Sequence, residues 1–170
     1  NLSSGEILWR AELEGISDWV AVDEKYNQVI ATSSVFDIEH YDFMEGACWR
    51  FSFGGELLDV YRMDEKAWHL NSNNGKMILG LGRPRNGILT LKKDKFKHIS
   101  VDDSPVCCGY NNIFGHANGT ISIFEKGKIK SQKICDSSIG SILVQNDLFL
   151  ISNQAGQLYC KNSKDSMWEY

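Results

Sequence analysis

The sequence predicts an all-β protein of four repeated, four-stranded antiparallel sheets, which is the architecture of a β-propeller. Short runs of alternating apolar and polar residues, bounded by Asn, Asp and Gly, follow one another along the chain, and no segment has the apolar spacing of a helix. A glycine followed by alternating apolar residues recurs at Gly87, Gly119 and Gly156, at intervals of 32 and 37 residues. One such sheet cannot bury both faces until it stacks against neighbours, so the repeat favours a propeller over a β-sandwich.

The composition is that of an ordinary folded domain. Of the 170 residues, 42% are hydrophobic and 24% are charged, which argues against a disordered chain. No run approaches the roughly 18 apolar residues that a membrane-spanning helix needs, so we expect a soluble, cytoplasmic protein with no membrane partner. The five cysteines lack paired spacing, and we interpret them as reduced, buried thiols.

Four blades can be assigned along the chain. The clearest begins with a strand at 67–70, turns at Asn74-Gly75 and enters a third strand after Gly87. Two units with the same order of strands and turns follow it, and a longer unit precedes it. We therefore predict a single propeller domain or propeller segment with blades at about 17–63, 67–101, 105–134 and 140–170.

The segment 67–93, AWHLNSNNGKMILGLGRPRNGILTLKK, resembles a WD-repeat blade. It joins an inner strand, an Asn-Gly turn, a small-residue second strand and a Gly-x-apolar-x-apolar third strand. The chain lacks the Trp-Asp dipeptide of that family, so the hydrogen-bonded side chains typical of those blades are not carried over. The segment 4–9, SGEILW, is similar instead to the outer strand of quinoprotein-like repeats, and GGELL at 54–58 echoes it. Either resemblance implies a propeller.

The echo makes 5–13 the outer strand of a blade whose other strands are missing. This extra strand could close a ring of four blades. Alternatively, the chain is one segment of a larger ring that another segment or a second copy completes. Open propeller edges expose unpaired backbone and apolar blade faces, so the second alternative is favoured.

A predicted long loop at 35–46, between the second and third strands of the first blade, carries the strongest binding signal. Four acidic residues without a Lys or Arg alternate there with aromatic and Met side chains. Such side chains desolvate readily while carboxylates select a basic partner, which fits a protein-binding surface. The equally weighted alternative is a solvated insertion whose aromatic side chains fold back on the blade.

A second loop is expected to share the face of this insertion. In it, Arg83 and Arg85 flank Pro84, where they could grip a phosphate or a carboxylate. The candidate partner-binding residues are Phe36, Asp37, Glu39, Tyr41, Asp42, Arg83 and Arg85.

Metal and nucleic-acid sites have weaker support in the sequence. A metal site from Asp37, Glu39 and His40 is disfavoured because adjacent residues point apart and regular Ca²⁺-loop spacing is absent, so no metal is predicted. Eight lysines between 92 and 133 are placed on outer hairpins, where they resist edge-to-edge pairing of strands. Nucleic acid is disfavoured as a partner because no aromatic platform interleaves these lysines.

Catalysis also lacks a sequence signal. The chain contains no catalytic serine elbow, phosphate-binding loop, zinc-protease motif or dinucleotide-binding glycine pattern, and its four histidines are scattered. We therefore predict no catalytic residues and no cofactor. The favoured function is a non-catalytic interaction or scaffold module that presents the loops of a propeller face to a protein or peptide partner. The alternatives are a propeller enzyme acting on a small molecule or glycan, and a structural segment completing a larger propeller with another chain.

Overall fold

The structure is a computed structural model that describes residues 3–92, 95–101, 104–146, 148–162 and 166–169, the last four by their backbone. Sixteen strands in these residues form four sheets, each of four antiparallel strands in chain order. The predicted all-β fold of four four-stranded sheets is confirmed.

Each sheet is built from one continuous stretch of chain. The first contains β1 (Ile16–Asp23), β2 (Gln28–Asp37), β3 (Asp42–Ser52) and β4 (Leu57–Met63). The second contains β5 (Ala67–Asn73), β6 (Lys76–Leu81), β7 (Gly87–Lys92) and β8 (Lys95–Ile99). The third contains β9 (Val106–Tyr110), β10 (Ile113–His116), β11 (Thr120–Glu125) and β12 (Lys128–Lys133). The fourth contains β13 (Ile139–Gln145), β14 (Leu148–Asn153), β15 (Leu158–Asn162) and β16 (Ser166–Glu169).

Tight turns with left-handed residues set the register of the hairpins. Asn74 and Gly75, with φ of 50° and 74°, join β5 to β6, and Lys126 and Gly127, with φ of 49° and 79°, join β11 to β12. Asn and Gly enter this region at low cost, and such turns match the right-handed twist of the strands. Because side chains alternate along a strand, the turn decides which residues face each neighbouring sheet.

Three apolar clusters join successive sheets face to face. Leu79 belongs to the first cluster, between the first and second sheets; Phe114 belongs to the second, and Ile151 to the third. The inner strands β1, β5, β9 and β13 are neighbours in succession and surround the centre. No cluster within the described residues joins the fourth sheet to the first, so the ring is not closed.

The predicted outer strand at 5–13 is not formed. These residues run as an irregular segment over the face of the first sheet that points away from the second sheet. The Trp9 ring centroid lies 5.6 Å from that of Phe51, Trp9 Nε1 donates a hydrogen bond to the Phe53 carbonyl oxygen at 3.0 Å, and Leu13 packs in the same cluster. The segment thus buries apolar side chains on a sheet face, whereas an added edge strand would gain mainly backbone hydrogen bonds.

We expect Trp9→Ala to lower the free energy of unfolding by about 2–3 kcal/mol. Removal of a fully buried Trp costs about 3–5 kcal/mol, and Trp9 is half-buried. The control is Leu8→Ala, because the Leu8 side chain is 70% exposed and its truncation should change stability by less than about 0.5 kcal/mol. Urea denaturation measures both, and equal values would contradict anchoring through Trp9.

The predicted long loop at 35–46 is largely a β-hairpin. Strands β2 and β3 continue to Asp37 and Asp42, so only residues 38–41 lie in the turn. Phe36 pairs with Phe43, and Asp37 pairs with Asp42. The acidic residues and Gly46 lower the β-propensity of this segment, which hides strands that the cross-strand aromatic pair favours.

Five of the eight lysines predicted on outer hairpins lie on edge strands. Lys95, Lys97, Lys128, Lys130 and Lys133 lie on β8 and β12, which are edge strands of their sheets, while Lys93 lies outside the described residues.

All five cysteines are free, with Cys48 and Cys160 buried and the others half-buried. No helix of the described chain is long and apolar enough to cross a membrane.

Candidate functional site

One end of the array collects the segments that carry the predicted binding residues. The β2–β3 turn and the β6–β7 loop meet there. Arg83 Nη2 lies 3.0 Å from Asp42 Oδ2, with the Arg83 side chain 69% exposed. The two segments therefore share one face, and a salt bridge at the surface connects them.

Four aromatic rings form a continuous row on this face, which we call the aromatic row: Phe36, Tyr41, Phe43 and Trp68. Their centroids are separated by 6.1 Å, 5.2 Å and 6.0 Å for the pairs 36–41, 36–43 and 43–68, all edge to face. Tyr41 is 85% exposed, Phe36 40% and Trp68 37%. The row therefore combines fixed ring geometry with accessible ring surface.

Lys66 fixes the base of the aromatic row. Its Nζ lies 3.8 Å from the Phe43 centroid and 4.8 Å from the Trp68 centroid. The same Nζ lies 2.6 Å from Asp18 Oδ1, and both side chains of this ion pair are largely buried. A cation over aromatic faces is attracted more strongly when it is desolvated, so this pair stabilises the ring arrangement and ties β1 to the β4–β5 connection.

Arg85 has an environment very different from that of Arg83. Its Nε and Nη2 donate hydrogen bonds to the Glu65 carboxylate at 2.7–3.1 Å, and the Glu65 side chain is fully buried. The hydrogen bond to Glu65 raises the pKa of Arg85 above its usual range. The Arg85 guanidinium therefore anchors the β6–β7 loop to the buried Glu65. A role for Arg85 in partner binding stays a prediction.

The tip of the β2–β3 hairpin is organised by Asp37. One of its oxygens accepts hydrogen bonds from the backbone N–H groups of Glu39 and His40 at 2.7 and 3.2 Å, and the other lies 3.0 Å from His40 Nδ1. These bonds, chiefly the one to the His40 side chain, lower the pKa of Asp37. Asp37 thus shapes the turn, as Asp does in Asx turns, and leaves the exposed Ile38 and Glu39 at its tip.

A groove leads from this face toward the centre of the array. Its volume is about 380 Å³, and all four sheets or their loops line it, with Asp42, Trp68, Arg83, Val106 and Ile139 among the contributors. Within the described residues no group of three or more His, Cys, Asp or Glu side chains is placed to hold a metal ion.

Lys66 and Trp68 were not predicted as site residues, and Phe43 was recognised only as one of the aromatic residues in the segment 35–46. Trp68 lies on β5 of the second sheet, and Lys66 directly precedes that strand. Contacts between two sheets depend on how the sheets stack, which the alternation within one strand does not encode. The available signal was a lysine, Lys66, two residues before the aromatic Trp68 of β5.

No protein-family model and no curated protein matches the chain. Among solved structures it is similar to the WD40 β-propeller domain of Doa1, at 17% identity and a TM-score of 0.53, over 89% of this chain and 53% of that one. The fold is a β-propeller. The computationally designed Ika4 protein matches at 13% identity and a TM-score of 0.70, over 93% of this chain and 98% of that one. The designed Ika8 protein matches at 13% identity and a TM-score of 0.61, over 86% of this chain and 45% of that one.

These likenesses concern the fold alone, since every identity is low. The chain spans about half the length of the Ika8 and Doa1 propeller chains. The resemblance to WD-repeat or quinoprotein-like blades stays a prediction at the level of the family.

Proposed function

We propose that this propeller is a non-catalytic binding module whose aromatic row and Arg83 receive a peptide segment of a partner protein. The observation that carries the proposal is the row itself, in which exposed ring surface rests on the largely buried Lys66–Asp18 pair. Aromatic residues and Arg dominate the energetics of protein interfaces, and rigid rings lose little conformational entropy on binding.

The charges around the row select the chemistry of the partner. Asp37, Glu39, Asp42 and Glu45 all lie within residues 35–46 of the β2–β3 hairpin, a segment with no Lys or Arg. A basic side chain of the partner is attracted to this hairpin, and complementary charge raises the rate and selectivity of association. An apolar side chain next to it fits the groove between Trp68 and Ile139. The proposed ligand is therefore a peptide with an apolar anchor beside a Lys or Arg, and the Arg83 guanidinium donates hydrogen bonds to its backbone carbonyl oxygens.

A random peptide library displayed on phage tests this proposal. Selection against the immobilised chain should enrich peptides in which an apolar residue stands next to a Lys or Arg. In isothermal titration calorimetry with synthetic enriched peptides, Tyr41→Ala and Arg83→Ala should each weaken binding about tenfold or more, the loss typical of an interface hot spot. Glu39→Lys should weaken the same peptides by repulsion.

Phe36 and Phe53 provide a matched control for the location of the site. Their side chains are 40% and 44% exposed, but Phe53 lies in the β3–β4 turn, at the other end of the sheet. Phe36→Ala should reduce the affinity, whereas Phe53→Ala should leave it unchanged. The proposal fails if no peptide is enriched, or if the enriched peptides bind the wild type and all variants equally.

A further inference from the structure

The face of each sheet that meets the next sheet can be identified from the hairpin register. In each sheet, the pairs between the first and second strands can be counted outward from the turn that joins them. The third pair is Ala21–Ile30 in the first sheet, Asn71–Ile78 in the second and Cys108–Gly115 in the third. Ile30 packs on the second sheet and Ile78 on the third, while Cys108 and Gly115 meet Ile139 of the fourth. In each of the first three sheets, the side chains of the third pair therefore face the following sheet.

In the fourth sheet, no described sheet packs against the face that carries the third pair. Its third pair is Leu143–Leu150, and β15 continues this face with Cys160. Leu143 is 49% exposed, and Leu148 and Leu158, on the same face by register, are 36% and 44% exposed. The fourth sheet thus carries an apolar face in the position that joins blades elsewhere in the molecule.

The first sheet carries the complementary face. The second pair of each later sheet points to the preceding sheet, as Met77, Phe114 and Phe149 do in the three clusters. In the first sheet the second and fourth pairs are Val22–Val29 and Val20–Ala31. The segment around Trp9 and Leu13 covers this face on β2, β3 and β4, where Ala31 and Trp49 are buried. The open part lies on β1, where Val20 and Val22 remain 69% and 52% exposed.

We infer that two copies of this chain join head to tail, the fourth sheet of each against the first sheet of the other, in one closed ring of eight blades. Each chain supplies both halves of the same junction, so a twofold axis through the ring generates two identical junctions. The open array corresponds to about half of longer propeller chains, 45% of Ika8 and 53% of the Doa1 chain. Closure buries Leu143 of the fourth sheet and Val20 and Val22 of the first sheet, and it leaves the peptide-binding face unchanged, so this inference is independent of the proposed function.

Light scattering coupled to size exclusion, over a tenfold dilution, measures the assembly. The wild-type chain should have about twice its mass of 19.2 kDa. Val20→Glu and Leu143→Lys should each give monomers, with unchanged circular dichroism because both side chains are exposed within the chain. Ile38→Lys changes an exposed residue outside both faces and should remain a dimer.

A mixture of the Val20→Glu and Leu143→Lys chains separates the head-to-tail ring from other dimers. In the ring, one junction then has a carboxylate on one face and an ammonium on the other, and the second junction is unaltered, so dimers should form again. A dimer joined through both fourth sheets would not respond to Val20→Glu and would overturn the inference. A monomeric wild-type chain, or an open polymer, would overturn it as well.

Discussion

Arg85→Ala is expected to lower the free energy of unfolding by about 3–5 kcal/mol. The substitution leaves the fully buried Glu65 carboxylate without the guanidinium that holds it through three contacts of 2.7–3.1 Å. Although the Arg85 side chain is 38% exposed, its removal is costly because the Glu65 carboxylate that remains is buried and uncompensated. Such a loss is a large fraction of the stability of an ordinary domain, and urea denaturation at neutral pH measures it.

Arg83→Ala is the control in the same loop. Arg83 is 69% exposed, and a surface salt bridge such as that with Asp42 contributes at most about 1 kcal/mol. Arg85→Lys should fall between the two because it keeps the charge and loses the bidentate geometry. We therefore expect Arg83→Ala to weaken peptide binding with little change in stability. Equal losses of stability in the two alanine variants would contradict the separate roles of the two arginines.

Much of this fold is predictable from the sequence because its turns are local. Gly87, Gly119 and Gly156, which mark the repeat, stand at the first residue of the third strand of their sheets or within two residues before it, with φ of 90°, 82° and 82°. Asn74 and Asn111 have positive φ in the turns between first and second strands. Gly and Asn enter this conformation at lower cost than other residues, so the chemistry of the turn appears directly in the sequence.

The wrong predictions concern contacts between distant segments. The similarity of 4–9 to 54–58 suggested two equivalent outer strands, but the two segments touch: a Cβ on Gly55 would lie 2.6 Å from Cγ of Trp9. The segment therefore lies against the β3–β4 turn, which is part of the stretch that it resembles. Its position depends on an apolar surface assembled from β2, β3 and β4, which no local pattern records.

The candidate site was predictable where its residues are local in sequence. Its hairpin residues are close in sequence, and the pairing of Arg83 with Asp42 agrees with the expectation that their loops share a face. The rest of the site depends on how the first and second sheets stack. That stacking brings Lys66 and Trp68 to Phe43 and sends Arg85 to the buried Glu65.

Gly119→Ala is expected to destabilise the protein by about 2–5 kcal/mol. An L-residue at a φ of +82° costs about 1–2 kcal/mol by itself. The new Cβ would also lie 2.1 Å from the Cys135 carbonyl oxygen and 2.7 Å from that of Ser137. The Gly119 carbonyl oxygen accepts hydrogen bonds from the N–H groups of Ile134 and Cys135, so the crowded backbone cannot move away without losing them. Such overpacking adds about 1–3 kcal/mol.

Gly156→Ala isolates the conformational part of this cost. Gly156 stands at the same place in the fourth sheet, with the same φ of +82°, but a Cβ there meets no described atom within 4 Å. We expect it to cost only the conformational 1–2 kcal/mol, so urea denaturation should separate the two variants by about 2 kcal/mol. Equal values would mean that the backbone around Gly119 yields to the methyl group. Because the two glycines are one repeat signal in the sequence, a measured difference would show that the repeat encodes backbone conformation, while packing around it is particular to each blade.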